Sequence, residues 1–327
     1  QIGHDHRNDR SRSPEYAVEQ QSRLIESLFM NVPIPPVFLG EDKYGSYVVL
    51  DGRQRLTAIR DFMNNTLTLK NLEVWEQLNG TRYQDLVKKD YDKHLTRRFV
   101  PAIVILKESS PAVKYDVFDR LNTGGVKAND MEIRNAVFRG GFTDILHELS
   151  RNELFCTIWR IPKDIIEAAE RNAMYREMDD VYLVLRFFAL YEYDSMRLKF
   201  KDYLSDFIQE KNDIYPEKQD VPKEFIDRFN FAIINTWNIF GDEAFLKPKN
   251  SRGQRVKSFP LSDAIMVALS EYDPDTLDST LQSRIRKNFD ELLEDSDFLK
   301  SITSGTNGKG SIRSRIELAK KAVKRAL

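Results

Sequence analysis

Two arginines stand at a place where a helix normally disfavours cations. The segment YVVLDGRQRLTAI (47–59) begins with an apolar, β-branched run that is typical of a strand. A glycine that permits a sharp turn follows, and then apolar residues recur at helical spacing. Arg53 and Arg55 therefore fall in the first helical turn, where the helix dipole disfavours each cation by about 0.3–1 kcal/mol. A helix N-terminus with two guanidiniums is suited to binding a phosphate, because both present donors to anionic oxygens.

The residues beside these arginines add groups that phosphate chemistry uses. Asp51 ends the expected strand, where its carboxylate can hold Mg²⁺ or orient a water molecule with help from Gln54. The candidate catalytic residues are Asp51, Gln54 and Arg55, with Asp51 as the metal ligand. The candidate phosphate-binding residues are Gly52, Arg53 and Arg55. The alternative is structural: Asp51 only caps the helix, and the arginines pair with surface carboxylates.

A second segment, FDRLNTGGVKANDMEIRNA (118–136), is suited to closing such a site. Its polar, glycine-containing loop can direct several backbone N–H groups toward an anion. The loop residues are Asn122, Thr123, Gly124 and Gly125. Glu132 and Arg134, on the helix that follows, can buttress or complete the site. The structural alternative is a glycine that ends one helix, followed by a capping box formed by Asn129 and Glu132 at the start of the next.

Further along the chain, the stretch KPKNSRGQRVK (247–257) is basic and contains no acidic residue. Its cations are Lys247, Lys249, Arg252, Arg255 and Lys257. Such a group can bind nucleic-acid phosphates, and the basic last helix (311–326) can do the same. Because charge runs are more often solvated surface, DNA binding and a solvated face both stay open.

A third glycine-containing segment, SGTNGKGS (304–311), only partly resembles a phosphate-binding loop. The spacing G-x-x-x-x-G-K-[ST] is not met, because Thr303 stands where the first glycine is required. A true P-loop follows a buried strand, whereas the residues before this segment have the pattern of an acidic helix. We therefore expect a basic connector to the last helix.

Composition excludes several classes of protein. The chain has 327 residues, enough for about two domains, and a net charge of −1. Its single cysteine, Cys156, excludes an intrachain disulfide framework and fits a cytoplasmic location. With only four histidines besides, a cysteine-rich zinc site and an HNH-type nuclease cluster are both unsupported. No apolar run approaches the roughly 20 residues of a membrane span.

The elements that must position these residues can be inferred from the periodicity of apolar residues. A helix that stops at Pro33 leads into two strands that form a hairpin, and the second strand ends at Asp51. A helix at about 55–64 follows, and the strand at 99–106 has the pattern of burial on both faces. Another helix begins at Ser110.

Beyond residue 141 the strand patterns nearly vanish and helical stripes dominate, including a long one at 164–194. We predict an α+β protein with two domains. Residues 1–141 form a domain with a small mixed sheet, and residues 142–327 form an all-helical domain.

The two motifs occur in the order found in a known family. SRLIESLFMNVPIPPVFLGED (22–42), YVVLDGRQRLTAI and VFDRLNTGGVKANDMEIRNAVFRGGF (117–142) resemble the N-terminal domain family of GmrSD-type restriction endonucleases, over residues 20–145. The resemblance implies a ParB/sulfiredoxin-like fold for the N-terminal domain. The residues that match the family's Asp-Gly-Gln-Gln-Arg box are Asp51, Gly52, Gln54 and Arg55. Those that match its second motif are Asn122, Gly124, Gly125, Glu132 and Arg134.

The resemblance implies a nucleotide-binding, Mg²⁺-dependent NTP-hydrolysing domain of a restriction or phage-defence system that acts on foreign or modified DNA. The alternative is a non-catalytic DNA-binding or sensing module that regulates a partner nuclease. The implied partners are a nucleotide, DNA, a separate nuclease subunit and further copies of this chain, with no membrane. Three departures stand out. Arg53 replaces the usual glutamine of the box, and the family's aromatic and basic segment ahead of SRLIES is not recognisable in residues 1–19. No HNH nuclease motif is recognisable either, so we expect that this chain alone does not cut DNA by HNH chemistry.

Overall fold

The computed structural model of the protein describes residues 14–43, 45–106, 129–249 and 253–327. The chain divides into two compact units, and the boundary between them lies between Val137 and Phe138. The helix predicted to begin at Ser110 and the glycine-containing loop at 122–125 lie outside the described residues, as does Arg252.

The N-terminal unit combines a small mixed sheet with helices. The strands are β1 (Val37–Lys43), β2 (Ser46–Asp51) and β3 (Ala102–Ile105). β1 pairs antiparallel with β2 and parallel with β3, so the strand order is β2-β1-β3. The helices are α1 (Pro14–Phe29), α2 (Arg53–Met63), α3 (Tyr83–Lys88), α4 (Lys93–Thr96) and α5 (Asp130–Val137). The predicted hairpin of β1 and β2 is confirmed.

The apolar stripe of α1 builds the larger core of this unit. Ile25, Leu28 and Phe29 are buried, as their helical spacing predicts. They belong to one cluster with Phe62 of α2 and with leucines of the connection that follows α2. These leucines are Leu67, Leu69, Leu72 and Leu78. The cluster fixes α2 against α1, and with it the turn that leads into α2.

A smaller cluster covers one face of the sheet. It contains Leu50 of β2, Ile105 of β3 and Ile133 of α5. Apolar contact between these three side chains packs α5 against the strand that ends at Asp51. The helix of the second motif therefore lies beside the strand of the first.

The prediction that a strand at 99–106 is buried on both faces is wrong. β3 is short, and Ile103 and Val104 are 47% and 40% exposed, whereas Ile105 is buried. Within the described residues, β3 pairs with β1 alone and lies at an edge of the sheet. An apolar run shows that a segment can form a strand, but the position of that strand in the sheet decides its burial.

The C-terminal unit is dominated by helices, as predicted. They are α6 (Gly141–Leu149), α7 (Glu153–Trp159), α8 (Ile165–Arg171), α9 (Ala173–Arg176), α10 (Asp179–Tyr191), α11 (Phe200–Ile214), α12 (Lys223–Phe240), α13 (Phe259–Leu269), α14 (Ser279–Leu292), α15 (Ser296–Thr303) and α16 (Lys309–Lys324). Together with the mixed sheet of the first unit, these helices confirm an α+β chain. None of the helices in the described ranges has the length and apolarity needed to cross a membrane.

The helical stripe predicted at 164–194 is not continuous. Asn172 adopts an extended conformation, and its side chain accepts a hydrogen bond from Tyr175 N, so one helix ends and α9 begins there. Met178 then has a positive φ of 56° before α10. Apolar periodicity survives across both breaks, which is why it does not reveal them.

A buried group of charges joins three helices of the C-terminal unit. The carboxylate of Asp263, on α13, accepts hydrogen bonds from Arg186 Nε of α10 at 3.0 Å and from Arg315 Nη2 of α16 at 2.7 Å. None of the three side chains is more than 3% exposed. Buried charges are tolerated when they are paired and hydrogen-bonded in this way.

Candidate functional site

The turn between β2 and α2 depends on Gly52. Gly52 is the N-cap residue of α2, with a left-handed backbone at φ 90° and ψ 13°. A Cβ atom at this position would lie 2.6 Å from Val37 Cγ1, closer than real atoms approach. Both the backbone conformation and the space therefore require glycine.

Asp51 does not cap the helix, in contrast to the structural alternative inferred from the sequence. It is the last residue of β2, and α2 begins at Arg53 without a side-chain cap, two residues before the predicted start. The left-handed turn at Gly52 separates the carboxylate from a capping position. The carboxylate instead forms an ion pair with Arg55, one helical turn further on.

Arg55 is held by two acceptors. Its Nη2 donates to Asp51 Oδ2, and its Nη1 donates to the carbonyl oxygen of Pro35 at 2.6 Å. The Arg55 side chain is 19% exposed and that of Asp51 is 48% exposed. The contribution of Pro35 has no signal in the sequence, because every residue carries a carbonyl group and only the fold brings this one to Arg55.

Arg53 differs from Arg55 in having no such partner. It is partly exposed, and among the described residues its guanidinium makes no hydrogen bond or ion pair. Gln54, next to it, is exposed. At the start of α2, the charge of Arg55 is thus compensated by its partners. The charge of Arg53 is not compensated by any of the described residues.

The second motif supplies a capping box at the start of α5. Asn129 Oδ1 accepts from Met131 N and Glu132 N, both at 2.9 Å, and Glu132 Oε2 accepts from Asn129 N at 2.8 Å. The predicted capping box is confirmed. Arg134 is 1% exposed. α5 packs against β2, so the helix that carries Glu132 and Arg134 is brought next to the box, whereas the loop residues Asn122, Thr123, Gly124 and Gly125 lie outside the described residues.

Asp51 fits Mg²⁺ only in a limited way. Among the described residues, no group of three or more histidine, cysteine or carboxylate side chains could hold a metal ion. Mg²⁺ in nucleotide sites commonly takes one or two protein carboxylates, with phosphate oxygens and water as its other ligands. The half-exposed Asp51 carboxylate can serve as such a single ligand, in competition with Arg55.

The basic stretch is less available to DNA than its sequence indicates. Arg255 pairs with Glu243, and the Lys257 ammonium donates to the carbonyl oxygens of Ala244 at 2.7 Å and Asp242 at 3.2 Å. Burial, with a smaller contribution from the charge of a nearby arginine, lowers the pKa of Lys257 to about 8. Of the remaining described cations, Lys247 is partly buried and Lys249 is exposed.

The segment at 304–311 is a connector, as expected, and not a P-loop. It follows helix α15 directly, whereas a P-loop follows a strand. Lys309 Nζ donates to the carbonyl oxygen of Met196 at 2.6 Å, so this lysine is committed to the protein.

Residues 12–139 match the family model described as GmrSD restriction endonuclease, N-terminal domain. No curated protein and no solved structure matches the chain. The matched range includes both the box at 51–55 and the segment that contains Glu132 and Arg134. It confirms the resemblance inferred from those two motifs: residues 12–139 are similar to the N-terminal domain of GmrSD restriction endonucleases.

Proposed function

We propose that the N-terminal unit binds a nucleoside triphosphate and hydrolyses it in a Mg²⁺-dependent reaction. The family match implies a restriction or phage-defence context, and foreign or modified DNA is the target that we propose for such a system. The observation that carries the proposal is the Arg53 guanidinium, which has no partner among the described residues at the N-terminus of α2. A cation in that position is unfavourable until an anion binds beside it.

The chemistry that we propose requires little covalent participation by the protein. Phosphoryl transfer to water depends on positioning the phosphates and on stabilising the charge of their oxygens. Arg53 and the N–H groups of the first turn of α2 would bind the phosphates. Asp51 would hold the metal ion or orient the attacking water, and Gln54 would help to orient that water. Mg²⁺, bound to the nucleotide, would neutralise part of the phosphate charge.

Phosphate release from each of the four common NTPs, with and without Mg²⁺, tests the proposal. We expect Asp51→Ala and Arg53→Gln each to slow release by about tenfold or more, because each removes a group that acts on the reacting phosphate. Arg60→Gln is the matched control: Arg60 lies in the last turn of the same helix and pairs with Asp61. Equal release from the wild type, Asp51→Ala and Arg53→Gln would contradict the proposal.

A second candidate function is DNA binding or sensing without turnover, in support of a separate nuclease subunit. It is favoured by exposed cations in the C-terminal unit, Lys249 and, on the last helix, Lys321 and Lys324. This function predicts DNA affinity that falls steeply with salt, and little phosphate release. Replacing these three lysines by glutamine should then weaken DNA binding, whereas unchanged binding would exclude these cations as the interface.

A further inference from the structure

Three strand ends meet at the position of the box. Val37, at the start of β1, is paired with Ala102 at the start of β3, and Phe38 is paired with Asp51 at the end of β2. Val37 N also donates to the carbonyl oxygen of Pro101 at 2.8 Å. The chain thus enters β1 and leaves β2 at the same end of the sheet.

Arg55 connects the two chain segments at this end. From the first turn of α2, one terminal nitrogen donates to Pro35, which precedes β1, and the other donates to Asp51, which ends β2. Both terminal nitrogens of Arg55 thus already have an acceptor, and the Asp51 carboxylate already pairs with its charge, before any phosphate binds. The guanidinium is therefore committed to the protein in this structure.

The turn at Gly52 is packed directly under this guanidinium. A Cβ atom on Gly52 would lie 3.1 Å from Arg55 Nη2, in addition to its clash with Val37. Val37 and the Arg55 guanidinium therefore both lie close to Gly52, and the turn at Gly52 sets the position of the next residue, Arg53.

We infer that Arg55 is a positioning residue, which holds the turn at Gly52 so that Arg53 can contact the anionic ligand, and that Arg55 does not contact the ligand itself. The inference rests on the proposed function and refines it. The family box contains the arginine at position 55, whereas the arginine at position 53 is the residue that departs from the box. The strength of phosphate binding in this chain would thus depend on the departing residue.

A double-mutant cycle separates positioning from direct contact. ATP and GTP affinities are measured by calorimetric titration for the wild type, Arg53→Gln, Arg55→Gln and the double variant, with Arg60→Gln as the control. Arg55→Gln should weaken nucleotide binding about tenfold in the wild-type background. When Arg53 is already replaced, it should weaken binding by less than about threefold, because Arg55 would act on the ligand only by positioning Arg53. Arg55→Gln should also lower the unfolding temperature, which Arg53→Gln should not.

Each alternative outcome has a definite meaning. If Arg55→Gln weakens binding by the same factor in both backgrounds, or has no effect on binding, then Arg55 is not a positioning residue and the inference is wrong. If Arg55→Gln fails to fold, Arg55→Lys replaces it in the same cycle, because lysine keeps the charge but has one ammonium in place of the two nitrogens that contact Pro35 and Asp51. If the wild type binds neither ATP nor GTP, the proposed function is wrong. If the wild type binds a nucleotide and Arg55→Gln weakens that binding equally in both backgrounds, only the inference about Arg55 is wrong.

Discussion

Arg53 and Arg55 show how the surroundings give different roles to neighbouring residues of one type. Both lie in the first turn of α2, where a cation is disfavoured. Asp51 and the Pro35 carbonyl compensate the charge of Arg55. Among the described residues nothing does the same for Arg53, so this residue should lower the stability of the unliganded protein.

Replacing Arg53 by glutamine should therefore raise the free energy of unfolding by about 0.3–1 kcal/mol in the absence of ligand. Urea denaturation at low ionic strength measures this change. Arg60→Gln is the control and should lower the free energy of unfolding, because Arg60 lies in the last turn of α2, where the helix dipole favours a cation. A loss of stability in Arg53→Gln would show that Arg53 has a stabilising contact in the native protein.

Glu26 is a buried carboxylate that stabilises the N-terminal unit. It is 5% exposed, and it accepts hydrogen bonds from Val74 N at 2.8 Å and Trp75 N at 2.9 Å. Burial raises the pKa of Glu26, but hydrogen bonds from the backbone N–H groups of residues 73–75 lower it by more, so the pKa lies below its usual value of 4.5. The ionised carboxylate thus fixes the connection after α2 onto α1.

Glu26→Gln should destabilise the protein by about 1–3 kcal/mol at pH 7, because an amide replaces an ionised acceptor of several N–H groups. A carboxylate with a lowered pKa contributes stability above the pKa of the unfolded state and loses it as pH falls through the folded pKa. The difference between variant and wild type should therefore shrink below about pH 4.5. Thermal unfolding from pH 7 to pH 3 measures this trend, with the exposed Glu73→Gln as the control. A constant difference would mean that ionisation of Glu26 is not involved.

Only part of this residue-level detail could be predicted from the sequence. The anomaly of two cations after Asp51 and Gly52 is local and was visible. The acceptor of Arg55 on Pro35 and the N–H groups around Glu26 come from segments that are distant along the chain. Their backbone groups are common to all residues, so no sequence pattern distinguishes them.

At the scale of elements, the capping box of α5 gives Glu132 a structural role that competes with the role proposed from sequence. Its carboxylate accepts from Asn129 N. Glutamine can make the same contact in a capping box, whereas alanine cannot. The two substitutions therefore separate capping from chemistry.

If Glu132 acts as a cap, Glu132→Gln should leave the free energy of unfolding nearly unchanged. It should also keep the rate of phosphate release within about twofold of the wild type. Glu132→Ala should lose about 0.5–1.5 kcal/mol of stability, because it removes one hydrogen bond of the capping box. Thermal unfolding and phosphate-release assays on the same preparations measure both effects. Loss of activity in Glu132→Gln with unchanged stability would instead support a direct role of the carboxylate in the reaction.

The elements that the sequence predicted well are those determined by local contacts. The hairpin of β1 and β2 and the capping box at Asn129 depend on residues close together in the chain. The burial of β3 depends on its place in the sheet, and the breaks before α9 and α10 depend on the backbone at Asn172 and Met178. Apolar periodicity carries no information about either.

At the scale of the whole molecule, the C-terminal unit depends on Asp263 to join α10, α13 and α16. Asp263→Asn would leave the guanidiniums of Arg186 and Arg315 buried without an anion between them. Removing one partner of a buried charged group typically costs about 3–5 kcal/mol. We therefore expect a large fall in the unfolding temperature and faster hydrogen exchange in these three helices.

Arg313→Gln is the matched control for Asp263→Asn. Arg313 lies on the same helix as Arg315, but it pairs with Asp194 on the surface, with side-chain exposures of 55% and 72%. Surface ion pairs contribute about 0–1 kcal/mol, so this variant should be nearly neutral. Similar small losses in both variants would show that the buried group is not essential to the unit.

The buried group at Asp263 also has a consequence for the order in which the protein folds during its synthesis. Arg186 precedes Asp263 by 77 residues, and Arg315 follows it by 52. A growing chain therefore contains the neutral pair of Arg186 and Asp263 before the second guanidinium has been made. The carboxylate that receives Arg315 is therefore already in the chain when α16 is made, and the C-terminal unit can fold as one unit without a buried, unpaired Arg315. An arginine that arrived before its carboxylate would have to be buried alone, and the order of the sequence avoids that step for Arg315.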